Sequence, residues 1–66
     1  MTLKVNIKNF LFDHYPEYIA GGNIEDYIRA NFGNKGDTTA RELRKLVELG
    51  EIEVKKEPYN QYKLKV

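Results

Sequence analysis

With 66 residues, a net charge of +1 and no cysteine, the chain has room for one small domain held by packing alone, without disulfides, thiolate chemistry or the commonest zinc sites. No apolar run approaches the roughly 20 residues that span a bilayer, and the opening MTLKVNIKN lacks the unbroken apolar segment of a signal peptide, so a soluble, cytoplasmic protein with no membrane partner is expected. The near-neutral balance also excludes the strongly basic composition that announces a nucleic-acid partner by itself, although residues 35–66 hold eight basic against six acidic side chains and residues 1–34 hold three against four.

From Val5 to Tyr15, Ile7, Phe10, Leu11 and His14 share one face at helical spacing, with Asn6 as the expected cap and Phe12 on the flank. Pro16 ends this first helix, because the residue before a proline is pushed out of the helical region. The alternation of Leu3 and Val5 also fits a short N-terminal strand. Tyr18-Ile19-Ala20, closed by Gly21-Gly22, is too short for a helix and suits a stub of edge strand.

A second helix is predicted from Asn23 as cap, with Ile24, Tyr27, Ile28 and Phe32 on its apolar face and Glu25 and Asp26 in a first turn where the dipole favours negative charge. Gly33 is the expected C-terminal cap. Gly33-Asn34-Lys35-Gly36-Asp37 forms a tight connection to a third helix over 38–49, and two short helices meeting at such a turn describe a helix-turn-helix. In the third helix Ala40, Leu43, Leu46 and Val47 form one stripe ending at Gly50, while Thr38, Arg41, Glu42, Arg44, Lys45 and Glu48 occupy the other side. Thr39 with Glu42 three residues on reads as a capping box at its start.

Residues 51–66 have period two with a turn in the middle, which predicts a β-hairpin: Ile52 and Val54 alternate with acids and Lys55, and Tyr62, Leu64 and Val66 alternate with Gln61, Lys63 and Lys65. Turn chemistry favours a three-residue loop, Pro58-Tyr59-Asn60, which sets Val54 opposite Leu64 and Lys55 opposite Lys63. A register shifted by two pairs Val54 with Tyr62 and Glu53 with Lys63, relieving the like-charge contact. The loop argument makes the first register the preferred one.

Three helices, a short strand before the second and a hairpin straight after the third: this order, over nearly the whole chain, resembles the winged helix-turn-helix family of DNA-binding domains. The run A-R-E-L-R-K-L-V-E-L-G-E-I-E-V, residues 40–54, resembles that family's recognition helix passing into its first wing strand, and Y-N-Q-Y-K-L, residues 59–64, is similar to the returning strand. The chain also resembles the small modules of this kind found in phage and mobile-element proteins. The expected class is therefore α+β, mainly helical, one domain over 1–66.

The resemblance implies that the third helix enters a major groove of double-stranded DNA and that the wing, 51–66, lies along the backbone or an adjacent minor groove, in transcriptional regulation or a phage or mobile-element process. Thr38, Thr39, Arg41, Glu42 and Lys45 then face DNA from the helix, joined by Arg44. Arg41 is the candidate for a bidentate guanine contact. Glu42 has three roles open to it: capping, accepting from a cytosine amino group, or repelling phosphate. Lys35, Lys55 and Lys56 neutralise phosphates, Tyr59, Asn60 and Gln61 sit at the wing tip, and the amides of Gly22 and Asn23 hold a further phosphate. Glu42, Glu48, Glu51 and Glu53 put acid near this interface, so a domain making four or five phosphate contacts, with a log–log salt slope of roughly −4, needs a homodimer or attachment to other modules for useful affinity.

The chemistry of catalysis is missing. Serine and cysteine are absent, His14 is the one histidine, and no pair of carboxylates has the spacing of general acid–base work, so neither an enzyme, a small-molecule substrate, a metal nor a cofactor is expected. His14 is accounted for by a partly buried place near a helix C-terminus. Tyr27 and Tyr62 are expected at the core or its edge, Tyr15 and Tyr18 around the first strand, and Tyr59 alone at an exposed loop tip. The competing reading is a winged helix that binds a protein partner and no DNA, which the near-zero net charge favours.

Overall fold

The computed structural model describes residues 2–65. Their order is α1 (Leu3–Asp13), β1 (Ile19–Ala20), α2 (Gly21–Phe32), α3 (Gly36–Glu48), β2 (Ile52–Lys55) and β3 (Gln61–Leu64). The strands form one antiparallel sheet in the order β1-β3-β2, so the two-residue stub at Ile19–Ala20 is an edge strand, as its length suggested. This is a small α+β domain of three helices and a three-stranded sheet.

All three helices start earlier than their side chains suggested. α1 begins at Leu3 because Thr2 supplies the cap, its Oγ1 accepting the Val5 N–H at 3.3 Å. Leu3 and Val5 therefore lie in a helix, and no N-terminal strand forms. Asn6, the expected cap, is instead a buried residue whose Oδ1 has no hydrogen-bond partner. α2 begins at Gly21, which places Asn23 inside its first turn and Glu25 and Asp26 beyond it. Its first amide is satisfied from a distant part of the chain: the Gly21 N–H donates to the Asn60 carbonyl at 3.0 Å. Asp26 accepts instead from Arg29 at 2.6 Å.

The capping box in α3 does not form. Thr39 lies within the helix, fully buried, because Thr39, Leu43 and Leu46 are spaced to form the stripe that meets the core. The start is served by Asp37, whose Oδ1 accepts the Thr38 N–H at 3.0 Å and whose charge sits in the first turn. The glycine stops are as expected. Gly33 takes φ +79° and donates to Arg29. Gly50 takes φ +74°, its N–H bonding the Val47 carbonyl and that of Glu51 the Leu46 carbonyl, each at 3.0 Å, a Schellman end.

The hairpin adopts the register that loop chemistry disfavoured. Ile52 faces Leu64, Glu53 faces Lys63, Val54 faces Tyr62 and Lys55 faces Gln61. The loop is correspondingly longer, 56–60, and is braced by Gln61 Nε2 donating to the Glu57 carbonyl at 3.1 Å. Opposite charges across the strands and the pairing of Val54 with Tyr62 on the inner face outweigh a tighter turn. Val66, expected to extend the inner face, lies outside the described residues.

Ile7 and Leu11 of α1, Ile24 and Ile28 of α2, and Leu43 and Leu46 of α3 are buried almost completely, closed off by Ile52 and Tyr62 from the sheet. Each such side chain contributes on the order of 1.5–3 kcal/mol relative to exposure. The helices therefore share one core with the inner face of the sheet, which leaves the polar side of α3 and the outer face of the sheet in solvent. His14, expected partly inside, is exposed at the end of α1, its ring edge-on to Phe10 with centroids 4.6 Å apart.

Candidate nucleic-acid interface

Because Thr39, Leu43 and Leu46 turn inward, the helical period turns Thr38, Arg41, Glu42 and Lys45 outward together, where they line one shallow depression of about 240 Å³. Arg41 Nη2 lies 3.8 Å from Asp37 Oδ2, a long contact between two exposed groups that holds the guanidinium only weakly. Glu42 is half-buried and does not cap the helix. Thr39 is the expected contact residue that the fold withdraws: with no exposed surface, it cannot touch a ligand on this side.

Arg44 joins the helix to the hairpin. With Val47 and Glu48 of α3, Val54 and Tyr62 of the strands, and Lys56 and Asn60 of the loop, it lines a cleft of about 290 Å³. On its other side it lines a larger cleft of about 430 Å³ together with Ala40, the Gly21-Gly22 start of α2, Glu25, Tyr59, Asn60 and Tyr62. The hydrogen bond from Gly21 to Asn60 holds the loop against α2 at this point. Tyr59 is 56% exposed and forms one wall. Burial raises the Tyr62 hydroxyl above the ordinary phenol range, partly offset by its hydrogen bond with Asn60 and by the charge of Arg44.

The remaining expected contacts separate. Lys35 is exposed in the cap position of α3. Gln61 is half-buried and its amide is occupied with Glu57. Lys55 stands on the outer face of the sheet, its Nζ 5.7 Å from the centroid of the Tyr18 ring, away from the clefts that Arg44 lines. What the sequence reading missed was Gly21, Glu25 and Ala40 as walls of the larger cleft. The doublet Gly21-Gly22 was visible as a break, but its use as a surface depends on the hairpin loop folding against it.

Two of the acids expected near this surface, Glu51 and Glu53, are turned away from it. Glu51 faces α1, where Lys4 and Lys8 each approach its carboxylate at 2.7 Å and their hydrogen bonds hold its pKa below the usual glutamate range. Glu53 faces Lys63 on the outer face. Four acids remain beside α3: Glu42 with Arg41 and Lys45, Glu48 with Arg44 and Lys56, Asp37 at 3.8 Å from Arg41, and Glu25 across the larger cleft from Arg44. No group of three or more His, Cys, Asp or Glu side chains is placed to hold a metal among the described residues, and no helix among them is long and apolar enough to cross a membrane. No family model, curated protein or solved structure matches the chain.

Proposed function

We propose that this chain is a winged helix-turn-helix domain that binds double-stranded DNA, with α3 in the major groove and the β2–β3 hairpin against the flanking backbone, in transcriptional regulation or in a phage or mobile-element process. The observation that carries the reading is Arg44, which stands between the outward face of α3 and the hairpin loop and lines a cleft on either side. Through it Arg41 and Lys45 on the helix and Lys56 and Asn60 on the loop belong to adjoining surfaces. The element order, with the hairpin following α3 directly and β3 in the middle of the sheet, supports the same assignment. In it Arg41 reads a base edge, Lys35, Arg44, Lys45 and Lys56 contact phosphates, and Thr38 and Asn60 position the backbone.

The test is a titration with random-sequence duplex DNA at low and at moderate salt, for the native chain and for an Arg41→Ala, Lys45→Ala double variant. The native chain binds with a log–log salt slope of roughly −4, and the variant binds more weakly and loses about one phosphate contact, that of Lys45, from the slope. Equal, weak and salt-independent binding by both overturns the reading and leaves a protein partner as the function of this face.

A further inference from the structure

The outer face of the sheet has its own chemistry. Ile52, Val54, Tyr62 and Leu64 turn inward, so strand alternation puts Glu53, Lys55 and Lys63 on the other side. Tyr18 immediately precedes Ile19, the partner of Tyr62, and its ring lies on that same side. Two ammonium groups from different strands converge on it: Lys63 Nζ stands 4.9 Å from the ring centroid and Lys55 Nζ 5.7 Å. Lys65, two residues beyond Lys63, continues the row, its backbone N–H reaching the Glu51 carbonyl at 3.3 Å.

Glu53, opposite Lys63, gives this face one carboxylate, but neither lysine at the ring makes a salt bridge among the described residues, so the face keeps an excess of positive charge that the ring holds in place. We propose that this face binds an extended acidic segment of a partner protein. Lys63 in β3 and Lys65 just beyond its end are two residues apart, roughly 6.6–6.8 Å in extended backbone, and alternate carboxylates of an extended peptide recur at the same distance. Strands of four residues, roughly 13 Å long, match a short peptide. A nucleic-acid base is a poorer fit, since stacking needs a free aromatic face and the ammonium groups occupy that of Tyr18. The surface is separate from the clefts around Arg44, so the assignment does not depend on DNA binding by α3.

The probe is a blocked octapeptide alternating glutamate and threonine, titrated into the ¹⁵N-labelled chain, with an alternating lysine–threonine peptide and a random duplex as the other arms. Amide shifts at Tyr18, Lys55, Lys63 and Lys65 with the acidic peptide alone are expected. A Lys55→Gln, Lys63→Gln variant weakens peptide binding by about fivefold or more and leaves duplex binding through α3 within about twofold, since both side chains gather at Tyr18 and neither lines the clefts around Arg44. Tyr18→Phe retains peptide binding and Tyr18→Leu weakens it, with the urea midpoint of each variant separating loss of the ring from loss of packing. Absence of shifts on this face with the acidic peptide overturns the proposal, as does a duplex that shifts these amides in place of the peptide. Failure of duplex binding with the peptide arm intact removes the DNA reading and leaves this one standing.

Discussion

The amide of Gly21 donates to the carbonyl of Asn60 at 3.0 Å, joining the first residue of α2 to the last residue of the hairpin loop. The approach is close enough that a Cβ on Gly21 would stand 3.2 Å from Tyr62 Cε2, whereas one on Gly22 meets nothing within 4 Å. Tyr62 is buried between β1 and β2, so its ring has little room to yield. Gly21→Ala is therefore expected to cost about 1–2 kcal/mol by overpacking. Gly22→Ala, at a helical residue without that contact, stabilises by about 0.5–1 kcal/mol. Urea midpoints at unchanged slope measure both. Equal effects at the two positions would place the loop away from α2.

Thr39 lies on the core side of α3. Its side chain is fully buried and Oγ1 has no hydrogen-bond partner, so replacing it with valine keeps the shape and removes a desolvated hydroxyl. Helix propensities of the two residues are close. Thr39→Val should stabilise the fold by about 1 kcal/mol and leave duplex affinity unchanged. A stable variant that no longer binds DNA would put Thr39 on the contact face after all.

These residues also show where the sequence was legible. The apolar stripe Leu43-Leu46 and the stops at Gly33 and Gly50 could be read because period and positive φ are local properties. The helix starts could not, because the groups that satisfy them are chosen by the tertiary fold: a distant carbonyl, Asn60, serves α2, and burial takes Asn6 and Thr39 out of competition for capping. The hairpin register failed for a related reason, since Glu53 opposite Lys63 and Val54 opposite Tyr62 are pair contacts that loop rules do not weigh. On the outward side of α3, the helical period alone puts Thr38, Arg41, Glu42 and Lys45 on one face, and they lie together. Lys55 lies elsewhere, because a strand pattern gives two faces without saying which one meets the helices.

Glu51 links α1 to the start of β2 through Lys4 and Lys8. Its folded pKa is lowered, chiefly by the hydrogen bond from Lys4 and then by that from Lys8, so the unfolded chain takes up the proton first as pH falls. The stabilisation is then fully present above the unfolded value, about 4.3, and is lost as pH drops through the lower folded value. Glu51→Gln should melt at a lower temperature than the native chain at pH 7 and at the same temperature in strong acid. Added salt should narrow the gap at pH 7, because these groups are partly exposed. A gap that is constant from pH 7 to pH 2 rules out the ion cluster as its cause.

Arg44 and Lys55 distinguish the two faces of the hairpin. Arg44 lines the clefts on both sides of the helix–loop junction, while Lys55 leans over Tyr18 on the outer side of the sheet. If α3 and the loop share one DNA backbone, Arg44→Ala weakens binding to all duplexes alike and lowers the magnitude of the salt slope by about 1. Arg41→Ala, by contrast, costs about 1–3 kcal/mol on a preferred site and relaxes selectivity there. Lys55→Ala leaves both the slope and the affinity near native, because its ammonium lies over Tyr18 and lines neither cleft. Affinity measured over a range of salt for the three variants on two duplex sequences checks the set, and a larger loss from Lys55→Ala than from Arg44→Ala would move the DNA from α3 to the outer face of the sheet.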